Sequence, residues 1–225
     1  MNTPIRKLPM NPRARQTTPA VVLASASPAR LSVLRAAGID PHVVASGVDE
    51  RAVQAEHPGD DPADLVAELA YAKASAVIPA VNARFDDSVV IGCDSMLWCA
   101  GELVGKPPDA DAARAQWAKM AAGTAELLTG HALLRVRDGV VSATARATER
   151  TGIRFGTPDP DELNAYLATG EPLRVAGALT IDGYGGWFVD GVDGDPSSVI
   201  GISLPLTRKL LKQVGISVTD LWRRP

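Results

Sequence analysis

The chain has 225 residues, 46% hydrophobic and 22% charged, and its 23 basic and 26 acidic side chains give a formal net charge of −3. That profile excludes disorder and collagen-like repetition, and at this length an α/β core buries roughly 70% of the surface of the unfolded chain without disulfide or metal staples. The acidic balance argues against broad nucleic-acid affinity, which rests on Lys and Arg displacing counterions from phosphates, and leaves room for a small anionic ligand in a local basic pocket. The longest uncharged stretch, Gln16 to Ala29, has 14 residues and two prolines, short of the ~20 apolar residues of a membrane span. With only Cys93 and Cys99 and no apolar signal core, reduced thiols and a cytoplasmic location are expected.

Residues 1–19, with Arg6, Lys7, Arg13, Arg15 and the prolines Pro4, Pro9 and Pro12, read as a frayed, solvated extension, and residues 20–225 as one continuous unit. Ala20 to Ser25 has strand length. Ser27-Pro28 then supplies an N-cap and a proline suited to the first helical position, so a strand feeds a helix reaching about Ala37, with Leu31, Leu34 and Ala37 inward. His42 to Ser46 reads as a second strand, and Asp61-Pro62 opens a long helix in which Leu65, Leu69, Ala72 and Ala76 keep the helical period. Ser88 to Cys93 is a buried strand; after Asp94 the chain returns through Met96 to Ala100, turns at Gly101 and enters the loop at Gly105 to Pro108. A helix follows over Asp109 to Met120. Leu127 to Val136 and Val140 to Phe155 flank Asp138-Gly139 as a hairpin, and Asp159-Pro160 starts a helix ending near Gly170. Strands at Leu179 to Ile181 and Trp187 to Val192 and a closing helix from Leu206 to Val214 complete a predicted α/β fold with a mixed sheet.

The strongest local feature is Ser25-Ala26-Ser27-Pro28-Ala29-Arg30, because a strand-to-helix turn aims unpaired backbone N–H groups at one spot and so stabilises an anion there. Arg30 falls in the first helical turn, where a cation opposes the helix dipole. An anionic partner explains its position; a capped helix with a solvated arginine is the plainer alternative. Asp94, in Gly92-Cys93-Asp94-Ser95, is a carboxylate at the end of an apolar strand, the place where α/β proteins put their ligands. It is suited to holding a divalent cation or orienting water, or simply to closing a turn. Gly101 to Pro107 is not a P-loop: three residues separate its glycines and Pro107 follows the lysine, which leaves Lys106 only as a phosphate cation. Gly183-Tyr184-Gly185-Gly186 lacks dinucleotide-binding spacing. His42, His57 and His131 are scattered and read as surface or packing residues, Cys93 and Cys99 lack zinc spacing, and no Gly-x-Ser-x-Gly elbow is present. Trp117, Trp187 and Trp222 are expected as packing anchors, with Trp98 open to either role.

Taken in order, Leu23 to Arg30, Val48-Asp49-Glu50, Ala72-Lys73-Ala74, Gly92-Cys93-Asp94-Ser95, Gly105-Lys106-Pro107, Gly123, Thr129-Gly130, Ala176-Gly177-Ala178 and Val199 to Leu206 make the chain resemble, from about residue 20 to 216, the Maf proteins. These are nucleoside triphosphate pyrophosphatases once described as septum-formation inhibitors. The resemblance implies a Maf/ITPase-like elongated mixed β-sheet with flanking helices and a cleft between two lobes, a divalent metal (Mg2+ or Mn2+), a homodimer, and hydrolysis of a nucleoside triphosphate to monophosphate and diphosphate. It also implies that Ser25, Ser27, Arg30, Lys73 and Lys106 bind the triphosphate, that Asp94 is the catalytic carboxylate, and that Glu50 joins Asp94 on the metal. Two carboxylates beside a polyphosphate repel it unless a divalent ion bridges them, and on that ground a metal is expected. Orienting a metal-bound water is the role expected of Asp94, since nearby cations would hold its pKa below the ordinary value of about 3.9.

The chain departs from the dTTP- and UTP-preferring branch of that family. Ala29 stands where arginine is usual, Ser95 for threonine, Asp182 for glutamine and Val175 for lysine, with Arg174 beside the last. Ser95 and Asp182 are therefore expected to select the base. Exchanging an amide for a carboxylate leaves an acceptor alone, so a base exposing a donor toward Asp182 is favoured. The expected biological role is house-cleaning of nucleotide pools. The alternative is a nucleotide-binding regulator of cell division or septum formation without essential catalysis.

Overall fold

The computed structural model describes residues 18–58 and 61–223; of the extension expected over residues 1–19, all but Thr18 and Pro19 lie outside the described residues. Among the described residues seven strands form one mixed sheet: β1 (Ala20–Leu23), β2 (His42–Val43), β3 (Asp87–Cys99), β4 (Glu102–Val104), β5 (Thr124–Arg137), β6 (Val140–Phe155) and β7 (Val189–Asp193). Their order is β2-β1-β3-β5-β6-β7, with β4 paired to β3. β1 runs parallel to β2 and β3, and the other pairings are antiparallel. The hairpin expected at Asp138-Gly139 is present, both residues taking the positive φ of a tight primed turn (49° and 79°).

The helices are α1 (Pro28–Ala36), α2 (Glu50–Glu56), α3 (Pro62–Ala76), α4 (Ile78–Asn82), α5 (Ala110–Met120), α6 (Pro160–Ala168), α7 (Pro196–Ile200) and α8 (Leu204–Gln213). Most start on a side-chain cap followed by proline or an acid: Ser27, Asp49, Asp61, Asp109, Asp159, Asp195 and Ser203 each accept a first-turn N–H. α1 and α8 cover one face of the sheet through Leu34, Leu206, Leu210 and Leu211, and α3 and α4 cover the other through Ala70, Ala74 and Val81. α5 and α6 close the far end around Trp117, Phe155 and Tyr166. Among the described residues no helix is long and apolar enough to cross a membrane.

Several elements differ from the sequence reading, and the reasons are physical. Ser88 to Cys93 and Met96 to Ala100 are one continuous strand, β3, because β5 pairs with it without a break from Asp87 to Trp98. Leu179 to Ile181 is not a strand: Ala178 has a positive φ of 53°, and its carbonyl accepts from Trp117 Nε1 (3.0 Å) and Tyr166 Oη (3.3 Å) instead of a sheet neighbour. Trp187 sits in a 3-10 turn before β7 and is 86% exposed, and Trp222 is 51% exposed, so only Trp117 is a core anchor; Trp98 is half-buried. Within α1 only Leu34 of the expected inward residues is buried. The buried stripe of α3 is Val66, Leu69, Ala70, Lys73 and Ala74, rotated from the expected Leu65, Leu69, Ala72 and Ala76.

That rotation is dictated by two glycines. A Cβ on Gly92 of β3 would strike the Ala70 carbonyl, and one on Gly130 of β5 would strike the Val66 carbonyl. Bare backbone at both positions lets α3 lie directly on the sheet. Lys73, on the same stripe, is thereby carried down to the strand that holds Asp94.

His131 is fully buried and acts in packing. Its Nε2 accepts from the Ser203 N–H at 2.8 Å, which leaves Nδ1 as the protonated nitrogen donating to the Thr129 carbonyl at 2.9 Å. Burial pushes its pKa down to about 4. Cys93 and Cys99 are free and buried, and burial raises the Cys93 thiol to about 11.

Candidate active site

β1 stops pairing with β3 at Leu23 and Ile91, and β4 begins pairing with it at Leu97 and Val104. Between those points, among the described residues, 92–96 of β3 are bridged by β5 alone. Asp94 therefore lies in the middle of its strand and not at its end as expected; the strand that ends beside it is β1. The open edge is where a cavity of about 410 Å³ forms.

Ser27, Arg30, Glu50, Lys73, Asp94, Ser95, Lys106 and Asp182 all line that cavity. These residues come from α1, α2, α3, β3 and two loops, and their convergence joins positions up to 155 residues apart in sequence. Ser25, also expected to bind phosphate, is not part of the lining: it is buried behind Arg30, accepting from Arg30 Nη1 at 3.1 Å and from the Ser27 N–H at 3.2 Å. Arg51, Gln54, Arg174 and Thr180 complete the polar lining. Arg51 and Gln54 were missed because α2 is too short to announce itself by periodicity. Its one signal was Asp49, which caps the Arg51 and Ala52 N–H groups.

At the centre, Lys73 Nζ lies 2.5 Å from Asp94 Oδ1 and 2.7 Å from Glu50 Oε1. The premise that only a metal could bridge these carboxylates is therefore corrected, since a lysine ammonium already does so. Burial pushes the Asp94 carboxyl up, and the Lys73 and Arg30 charges offset only part of that. The direction is opposite to the sequence expectation, because the expectation counted the cations and not the desolvation. Asp94 is thus a better proton acceptor than an exposed aspartate.

Arg30 is held on three sides. Nε donates to the Gly201 carbonyl at 2.8 Å, Nη1 to Ser25 Oγ, and Nη2 to Ser95 Oγ at 3.2 Å. Ser95 Oγ is 3.2 Å from Thr129 Oγ1, which donates to the Ser198 carbonyl at 3.2 Å. The guanidinium keeps one N–H on each Nη for a ligand. Lys106 is exposed at the rim. Across the lining, Arg30, Arg51, Lys73, Lys106 and Arg174 outnumber Glu50, Asp94 and Asp182, so a chain with net negative charge presents a locally positive hollow.

Residues 20–214 match the family described as Maf-like protein. The chain belongs to the Maf family. It is 59% identical over 209 residues to a protein of Nocardia farcinica (strain IFM 10152), covering 92% of this chain and 99% of that one. It is 60% identical over 205 residues to a protein of Saccharopolyspora erythraea, covering 91% and 97%. Both relatives bear the name nucleoside triphosphate pyrophosphatase.

The Maf site fits a divalent ion that takes only part of its ligand shell from the protein. Among the described residues no group of three or more His, Cys, Asp or Glu converges, so a metal caged by protein is not provided for. Glu50 and Asp94 each engage Lys73 through one oxygen, which leaves the second oxygen of each for an ion that completes its shell with phosphate oxygens, the usual habit of Mg2+.

Proposed function

We propose that this Maf protein is a nucleoside triphosphate pyrophosphatase, releasing diphosphate and leaving the nucleoside monophosphate. The observation that carries the reading is the Lys73 bridge between Asp94 and Glu50, set in a positively lined cavity with Arg30. The names of the two relatives support it. A pure nucleotide sensor has no use for a buried carboxylate whose affinity for protons is raised; a hydrolase does.

In this reading Arg30, Lys73 and Lys106 take the phosphate chain, with Ser27 at the first turn of α1. Ser25 supports Arg30 from behind. The second oxygen of Asp94 has two lone pairs, one for a divalent ion and one that accepts a proton from water as the water oxygen bonds to the α-phosphorus. The bond from that phosphorus to the α,β-bridging oxygen breaks, and diphosphate departs with the electron pair, its charge balanced by the surrounding cations. Glu50 and Asp94 would hold a Mg2+ or Mn2+ ion, which when bound supplies further charge neutralisation at the phosphates. Ser95 and Asp182 are assigned to base selection; an acceptor-only carboxylate at 182 favours bases that present a donor. A cytoplasmic homodimer acting on nucleotide pools is the setting this reading carries, to be checked by light scattering and cell fractionation.

The test is a screen of canonical and modified nucleoside triphosphates with and without Mg2+ or Mn2+, scoring products. Diphosphate with monophosphate is expected. Orthophosphate as the product, or saturable binding with no product, overturns the proposal.

A further inference from the structure

One part of the cavity wall is made by residues 174–182, which belong to no strand or helix long enough to hold itself. Arg174, Thr180 and Asp182 line the cavity from this segment, and its backbone must be held by side chains from elsewhere. Its outer side is tied by Trp117 Nε1 and Tyr166 Oη to the Ala178 carbonyl, and by the Gly177 N–H to the Gly105 carbonyl at 3.1 Å, next to Lys106. Its two ends are tied by a single residue, through its backbone carbonyl at one end and its carboxylate at the other.

That residue is Glu171, half-buried at the entrance to the 3-10 turn Pro172–Arg174. Oε1 accepts from the Thr180 hydroxyl and from the Gly185 N–H at 3.1 Å, while Oε2 accepts from the Tyr184 N–H at 3.1 Å. Its backbone carbonyl accepts from the Arg174 N–H at 3.1 Å. Burial pushes the Glu171 carboxyl up, but the Thr180 hydroxyl and the Gly185 and Tyr184 N–H groups outweigh it and keep it below the ordinary range. The approach is close enough that a Cβ on Gly183 would collide with the carboxylate. Asp182 is thus flanked by Thr180 on one side and by Gly183 to Gly185 on the other, all set by Glu171, while Asp182 itself is exposed to the cavity.

We infer that Glu171 is a positioning residue for nucleobase discrimination: by closing the loop from 171 to 185 it sets where Arg174, Thr180 and Asp182 stand in the cavity wall. The inference rests on the proposed nucleotide reading. It separates the site into two halves with different supports. The phosphate half is built by α1, α3 and β3, which Glu171 does not touch; its remaining cation, Lys106, meets the loop at the Gly177–Gly105 bond, which Glu171 does not make. The half containing Asp182 depends on Glu171.

The experiment compares full-length wild type with E171Q and G183A. The amide keeps the shape of Glu171 but turns one acceptor into a donor, which faces either the Thr180 and Gly185 donors or the Tyr184 N–H. The alanine methyl displaces the same carboxylate from the other side. Steady-state kinetics on the best and worst nucleoside triphosphates are read beside inhibition by inorganic tripolyphosphate, which has phosphates and no base. KM for the best nucleotide should rise about tenfold in either variant with kcat within about threefold, the discrimination between nucleotides should shrink, and the tripolyphosphate inhibition constant should not move. Unchanged KM and discrimination overturn the inference. So does a parallel loss of tripolyphosphate binding, which marks general damage. Should E171Q not fold, G183A reads the same contact. Should wild type turn over nothing, the hydrolytic proposal fails by itself, and calorimetric binding of the same nucleotides and tripolyphosphate still decides the role of Glu171.

Discussion

Lys73 Nζ lies 2.5 Å from Asp94 Oδ1, the ammonium delivered by α3 and the carboxylate by β3, both nearly shut off from solvent. The pair separates two functions that a binding assay and a rate assay read differently. Asp94→Asn keeps the shape and a phosphate-binding lysine but removes the proton acceptor, so turnover should fall by about 10²- to 10⁴-fold while nucleotide affinity changes little. Lys73→Met removes the charge that balances Asp94 and Glu50, and both rate and affinity should fall. A D94N enzyme with a near-normal rate would refute the role given to Asp94.

Arg30 is aimed by Gly201, whose φ is +125° and whose added Cβ would lie 3.2 Å from Arg30 Nε and 3.3 Å from Cγ. Gly201→Ala should therefore act on the substrate through the guanidinium, lowering kcat/KM by about 10- to 100-fold. Arg30→Lys should do the same, because an ammonium cannot make the three divergent bonds to Gly201, Ser25 and Ser95. Steady-state kinetics on both variants check this; a G201A variant with wild-type kcat/KM contradicts the aiming role.

His131 makes stability pH-dependent in a calculable direction. Its pKa is about 4 folded against 6.5 for the free side chain, so between those values the unfolded chain takes up a proton that the native state does not. The contribution is complete above pH 6.5 and is lost as pH falls toward 4, amounting to about 3 kcal/mol. Urea midpoints at pH 7, 5.5 and 4 for wild type and H131N should converge as pH falls. A constant difference would show that His131 titrates with the same pKa in both states.

The two contact glycines carry the seating of α3. G92A or G130A drives a methyl into a helix carbonyl, and each should cost about 3 kcal/mol or more, since neither backbone can retreat. Denaturant midpoints measure the loss. Activity should fall further than stability alone explains, because Lys73 rides on the displaced helix.

How much of this was legible follows from the range of each interaction. The caps at Ser27, Asp61, Asp109 and Asp159, the turn at Asp138-Gly139 and the long apolar strands are set within a few residues and were read directly. The face of α3 was misread because its inward stripe contains a lysine, and periodicity counts only apolar residues. A charged residue in register with Val66, Leu69 and Ala70 was the available signal, since burying an ammonium is tolerable only beside a partner. Trp187 was misplaced because aromatic character does not say which side of a 3-10 turn faces the core.

Residue identity by itself determined which groups exist to do chemistry: Arg30 after a capping serine, Asp94 inside an apolar strand, Lys73 on a helix, Lys106 in a proline loop. Only the tertiary structure decided that Lys73 bridges Asp94 and Glu50, that Ser25 stands behind Arg30 instead of in the cavity, and that Glu171 braces the wall bearing Asp182. The reason is that local hydrogen bonding is encoded in neighbours along the chain, whereas desolvation and charge pairing depend on which distant segments exclude water from one another.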